Sequence, residues 1–219
     1  MSKQALCILR SNFDKLVSVS ETVKKTDTLT MIKINEAKTL FDIPSFLESR
    51  ETCEKDTTKI HFIPYISLIH VEKDATPLIY TYIRGKGGNE DRLHDNCSVG
   101  FGGHVEEAPT AEKNLKSVLI DNIKRELEEE VGLKLSDYKA ELALNSARVF
   151  LDESNEVGKV HLAIALTINI HPSEIGALET NVIESLKLEK VSDVTRDIQA
   201  GKEACGREFE SWSKIVLGF

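Results

Sequence analysis

The chain has 219 residues, 41% hydrophobic and 29% charged, with a formal net charge of −8. That composition suits a soluble globular chain of one domain with additions, and the acidic balance argues against binding long nucleic acid or anionic lipid. Its apolar runs fall short of the roughly 20 residues a membrane helix needs.

The first ten residues lack the apolar core and small-residue cleavage site of a signal peptide. Cys7, Cys53, Cys97 and Cys205 form no Cys-x-x-Cys pair, so they read as reduced thiols of a cytoplasmic protein. Residues 5–9 and 30–34 read as short strands, with polar connections at 24–27 and 51–58. Residues 1–55 are too few to bury much core alone, and are expected to pack as an extension on a main domain of residues 56–219.

From His61 the pattern sharpens. Residues 62–71 read as a buried strand. A turn at 74–77 leads to a second strand at 78–83, which runs into a flexible basic loop from Arg84 to Gly88. Residues 98–101 form a short strand entering Gly102-Gly103, and a helical segment then ends at Gly132. Residues 142–151 and 160–170 read as two long strands around a 152–158 loop, and 186–191 as a last strand. Ser192-Asp193 is expected to cap a helix, and residues 208–217 to form a C-terminal one. Strands interleaved with few helices predict an α/β (α+β) sandwich.

The chemistry resides in Arg125-Glu126-Leu127-Glu128-Glu129-Glu130-Val131-Gly132-Leu133. A helix advances about 100° per residue. With Glu126 at zero, Glu129 lies at roughly −60° and Glu130 at roughly +40°, so three carboxylates share one face. Ile120, Ile123, Leu127 and Val131 form an apolar stripe beside them, and Gly132 is a natural C-cap. Carboxylates this close repel one another unless cations sit among them. Oxygen-only donors suit Mg²⁺ or Mn²⁺, and Arg125 is placed to pair with Glu129 four residues on. An acidic helical run is usually a solvated face; the preceding Arg125, the following Gly132-Leu133 and the upstream Gly102-Gly103 favour a metal site here.

This segment resembles the second half of the Nudix box, R-E-U-x-E-E-x-G-U with U aliphatic, and Gly102-Gly103-His104-Val105-Glu106 resembles its start. The resemblance implies an α/β/α sandwich with a mixed β-sheet. Glu126, Glu129 and Glu130 would be the metal-ligand glutamates, the Gly102 carbonyl a further ligand, and Arg125 would orient the acids. One departure stands out: twenty-two positions separate Gly103 from Arg125 where the family has fourteen. The first family glutamate then falls at Pro109, which cannot serve; the alternatives are Glu107, Glu112 or no replacement at all. Leu115 and Val118 point away from the apolar stripe, which predicts an insertion, as loop or short helix, ahead of the catalytic helix. Phe62-Ile63-Pro64-Tyr65, the stretch from Tyr82 to His94, Gly100 to Val105 and Glu210-Ser211-Trp212-Ser213 resemble a branch of Nudix proteins described only as predicted phosphoesterases.

Arg84, Lys86 and Arg92 lie in the basic loop that, in the family fold, faces the catalytic helix, and are expected to grip phosphate. His104 is placed either for substrate contact or as a hydrogen-bonded packing residue. Glu184 and Glu179, and less strongly Glu153 or Glu156, are candidates for an extra base or ligand. Phe209, Trp212 and Val216 recur at helical spacing and read as core. The expected activity is Mg²⁺-dependent hydrolysis of a phosphoanhydride bond in a small-molecule nucleotide: a nucleoside triphosphate, nucleotide sugar or dinucleotide, with capped RNA left open. The alternative is a non-catalytic Nudix domain that senses nucleotides or binds a partner. A homodimer is left open.

Overall fold

The computed structural model describes residues 3–21, 23–33, 38–73, 75–87, 93–176 and 178–218. In chain order the strands are β1 (Gln4–Leu9), β2 (Lys24–Lys25), β3 (Leu29–Lys33), β4 (Ser45–Ser49), β5 (Lys59–His70), β6 (Leu78–Arg84), β7 (Cys97–Ser98), β8 (Arg148–Asp152), β9 (His161–Asn169) and β10 (Ile183–Lys190). The α-helices are α1 (Arg10–Val19), α2 (Arg50–Cys53), α3 (Leu115–Val131), α4 (Asp137–Asn145), α5 (Val191–Ala200), α6 (Lys202–Cys205) and α7 (Ser211–Val216). The expected α/β class is therefore observed. The strand pairings described below are antiparallel, a bridge between Cys97 and Phe209 runs parallel, and the sheet is mixed.

The chain forms two compact units, one from the described parts of 1–65, 102–125 and 136–166, the other from those of 66–101, 126–135 and 167–218. In the first, β1 pairs with β4 on one side and with the start of β5 on the other, setting Cys7 opposite His61. A second run joins β2 to β3, β3 to β8, and β8 to the start of β9. Leu6, Ile8, Phe13, Phe62 and Phe150 are fully buried there. The residues expected to form an N-terminal extension thus give β1 and β4 to the same ladder as β5.

In the second unit β6 pairs with the end of β5, with β7 and with β10. Tyr82 of β6 stacks on Phe101 with centroids 5.0 Å apart, and its hydroxyl donates to the Gly100 carbonyl at 2.8 Å. Burial pushes the Tyr82 phenol well above its ordinary pKa, with the nearby Glu130 and Glu210 charges adding to the shift. Phe209 is buried as expected, while Trp212 and Val216 are half-buried.

Five expectations are corrected. Residues 142–145 belong to α4, not to a strand: Ser136 Oγ caps the helix by accepting from Lys139 N, and Ala140, Ala143 and Leu144 bury one face at helical spacing. Lys24–Lys25 pairs as β2 instead of remaining a plain connection, and α2 interrupts the polar stretch at 51–58. Ser192 and Asp193 sit inside the first turn of α5, whose N-cap is Lys190 without a side-chain bond. The C-terminal helix is the single short α7. Asp74, Gly88 and Arg92, named in the expected turn and basic loop, lie outside the described residues.

Candidate active site

Helix α3 carries the three glutamates. It is continuous from Leu115, so the residues extra to the family spacing are divided between the irregular 104–114 segment and the helix's own first turns. Leu115 and Val118, expected to mark a break, are instead buried on this same helix together with Leu119, Ile123, Leu127 and Val131. On the roughly 100° per residue wheel, the buried positions span an arc from about −80° to about +140°. A helix covered on most sides loses the single apolar stripe that periodicity detects. Glu126 and Glu130 fall inside that arc and are only 8% and 7% exposed, whereas Glu129 is exposed.

The helix ends as its sequence predicts. Gly132 adopts φ 64° and its N–H donates to the Glu128 carbonyl at 3.1 Å, the bond of an αL stop, while Leu133 N–H donates to the Leu127 carbonyl at 3.0 Å. The following carbonyls are satisfied from further along the chain, Val131 O by Gly176 N–H at 2.9 Å and Glu130 O by Glu179 N–H at 3.0 Å. The same segment reaches the basic loop: Gly87 N–H donates to Asn181 O at 2.7 Å and Gly85 N–H to Val182 O at 2.8 Å. Gly176 and residues 178–182 therefore tie the end of α3 to the Lys86 loop. Glu179, the Lys86 loop and the acidic end of α3 are thereby brought into one frame, and Glu184 pairs with Ile83 beside it.

The sequence-predicted site residues meet different fates. Lys86 is exposed. Arg84 Nε donates to Glu210 Oε2 at 2.8 Å, and Glu210, almost wholly buried, also accepts from Ser98 Oγ at 2.5 Å, so one edge of this guanidinium serves the fold. Arg92 lies outside the described residues. Gly102 takes φ 132°, a conformation glycine reaches without strain. Arg125 Nη2 donates to the His104 carbonyl at 3.2 Å, and Asn122 Nδ2 donates to the same oxygen at 3.0 Å. Glu126, Glu129 and Glu130 offer oxygen donors only, two of them nearly buried on one helix turn, which fits a hard cation such as Mg²⁺ or Mn²⁺.

The His104 side chain is turned into the interior among residues that sequence reasoning missed. Glu54, His61, His104 and His161 present ligand atoms that all lie within 4.8 Å of one another. These residues come from four separate segments, so no local spacing announces them. The only hint is their chemistry: three of the six histidines of the chain are partly or wholly buried in one place.

No protein-family model matches the chain. Among solved structures, it is similar over 98% of its length to Tm1382, a protein assigned to the Nudix hydrolases, with 20% identity, 96% of that chain covered and a TM-score of 0.66. A Nudix hydrolase from Alicyclobacillus acidocaldarius matches 72% of this chain and 89% of its own, at 13% identity and a TM-score of 0.51. The fold is that of the Nudix hydrolases. Protein YmaB of Bacillus subtilis (strain 168) is 30% identical over 210 residues, covering 92% of this chain and 94% of its own. The chain belongs to the family of that protein.

Proposed function

We propose that this protein is a divalent-metal-dependent hydrolase that cleaves a phosphoanhydride bond in a nucleoside diphosphate linked to a further group. The observation that carries this reading is the acidic end of α3, with Glu126 and Glu130 nearly buried four residues apart and Glu129 exposed beside them. Burying carboxylates is costly, and a site built to receive cations gives a reason for them. Glu126, Glu129 and Glu130 would hold Mg²⁺ or Mn²⁺. When bound, that ion polarises the diphosphate bridge and acidifies a water.

The remaining work falls to the chain's own groups. Lys86 meets substrate phosphate from its exposed loop, with Arg84 at the end of β6 and Arg92 a few positions further along the sequence as further candidates. Arg125 steadies the approach to the acidic turn through the His104 carbonyl. Glu179 is the favoured extra base or ligand, because its backbone is bonded to Glu130; Glu184 is the second. Water attacks one phosphorus in line, the bridging P–O bond breaks, and two phosphate-terminated products leave, the attacking water's proton passing to the base. Substrates are small nucleotides acted on in the cytoplasm. The competing reading, a nucleotide-sensing or partner-binding Nudix domain, predicts binding without turnover.

The test is incubation of purified protein with Mg²⁺ or Mn²⁺ and nucleoside triphosphates, nucleotide sugars, dinucleotide polyphosphates and capped RNA, with products separated by chromatography. One class should be cleaved, and Glu129→Gln should lose most of that activity. Nucleotide binding without turnover in any class would favour the sensing reading.

A further inference from the structure

Four ligand-type side chains meet inside the first unit. Glu54 follows α2, His61 lies in β5, His104 follows the Gly102-Gly103 pair, and His161 opens β9. His104 Nε2 lies 3.2 Å from His161 Nε2. Glu54 Oε1 lies 3.7 Å from the first nitrogen and 3.6 Å from the second. The His61 ring packs 4.5 Å from His161 and 5.3 Å from His104, centroid to centroid. We propose that these four side chains bind one divalent transition-metal ion, Zn²⁺ by preference, as a closed tetrahedral centre with a donor set distinct from the carboxylates of α3.

The spacing fits such an ion. Ligands at about 2.0–2.1 Å from tetrahedral Zn²⁺ stand roughly 3.3–3.4 Å apart, and the three distances above straddle that value. The donors fit as well: three imidazoles and one carboxylate suit a borderline metal, where Mg²⁺ and Ca²⁺ take oxygens. His161 Nδ1 donates to the Val157 carbonyl at 2.6 Å, which leaves Nε2 as the ring atom facing the other three side chains. This is the outer bond that orients a metal-ligating histidine. Arg50 Nε, 3.3 Å from Glu54 Oε1, does the same for the carboxylate.

His61 is the most telling member. It is fully buried, and neither of its ring nitrogens makes a hydrogen bond of ordinary geometry. The Cys53 backbone approaches the ring closely enough to favour a proton there without meeting that geometry. A buried, unsatisfied imidazole is uncommon in folded proteins, and a metal bond on one nitrogen with the Cys53 backbone near the other would account for it.

Four protein ligands leave no open position, which marks the centre as structural. It would join the segment after α2 to β5, β9 and the 104 loop. Through the His104 carbonyl, which holds Asn122 and Arg125, it would also stiffen the approach to the catalytic helix.

The experiment uses full-length, tag-free protein stripped with a chelator and titrated with Zn²⁺ or Co²⁺. One equivalent should bind, Co²⁺ should give the intense visible bands of a tetrahedral centre, and Zn²⁺ should raise the melting temperature where Mg²⁺ does not. His61→Gln and His161→Gln, checked for folding by circular dichroism, should each weaken Zn²⁺ binding by more than about 100-fold, beyond the 10–100-fold typical of outer-shell changes. Glu126→Gln should leave the Co²⁺ spectrum intact. Failure of the wild-type protein to take up a stoichiometric ion, or a weak octahedral Co²⁺ spectrum, would overturn the proposal whatever the variants do. Loss of the spectrum in Glu126→Gln alone would move the ion to α3 and overturn it equally.

Discussion

Truncating Glu210 to alanine should reveal how much of Arg84 belongs to the fold. The Glu210 side chain is 4% exposed and that of Arg84 is 22% exposed, with Nε and Oε2 2.8 Å apart. Breaking a fully buried ion pair by removing one partner costs about 3–5 kcal/mol. Partial solvent access to the guanidinium screens part of that, and the wholly buried Ser98 hydroxyl loses an acceptor 2.5 Å away. The two effects together place the cost at about 2–3 kcal/mol. For a chain of this size that is a fall of roughly 5–10 °C in Tm. Urea unfolding followed by the fluorescence of the single tryptophan, Trp212, measures it directly. In the Arg84→Ala, Glu210→Ala double variant the losses should be less than additive, because the second substitution removes the charge the first one stranded. A Glu210→Ala cost under about 0.5 kcal/mol, or strict additivity, would refute the assignment of Arg84 to a structural pair.

On the proposed function, in which the exposed Lys86 binds substrate phosphate in ground and transition states alike, Lys86→Ala should raise KM several-fold with little change in kcat and leave Tm within about 1–2 °C; an unchanged KM for the cleaved substrate removes Lys86 from that proposal. Glu189 is held below its ordinary pKa: burial opposes its charge, but hydrogen bonds from Arg207 and Thr81 outweigh it. Its folded pKa is therefore depressed, so its contribution to stability is complete above about 4.5 and is lost as pH falls below that value. Glu189→Gln should flatten the stability–pH curve on that acid side, and an unaltered slope in urea titrations counts against the pair. Gly132→Ala should cost about 1–2 kcal/mol, because φ 64° is strained for any residue with a Cβ; a calorimetric loss near zero would mean the helix end relaxes freely.

The expected strands at 62–71 and 78–83 were legible because each is rich in β-branched and aromatic residues, and they appear as β5 and β6. Residues 142–145 misled for the same reason in reverse. Their apolar side chains adjoin those of β8, so composition alone merges a helix with a strand, although Ser136 and the spacing of Ala140, Ala143 and Leu144 carry the helical signal. The first turns of α3 misled because they bury a second face: Leu115 and Val118 are out of phase with Ile123 and Leu127, yet every one of them is buried.

A comparable contrast separates the two sets of metal-type donors. Glu126, Glu129 and Glu130 stand at i, i+3 and i+4, so helix geometry alone puts them on one face and a reader of the sequence can place them without knowing the rest of the fold. Glu54, His61, His104 and His161 acquire meaning only after β1 has paired with β5, β8 with β9, and the loop after Gly103 has folded back to hold Asn122 and Arg125. Their convergence is a product of tertiary structure, and a substitution at any one of them would look unremarkable in sequence. If that centre holds an ion, the ion binds only once the four segments have met, and its binding free energy adds to the stability of their union. Metal affinity and the unfolding free energy of the first unit should then rise and fall together across variants, a linkage that a simple packing cluster of histidines would not produce.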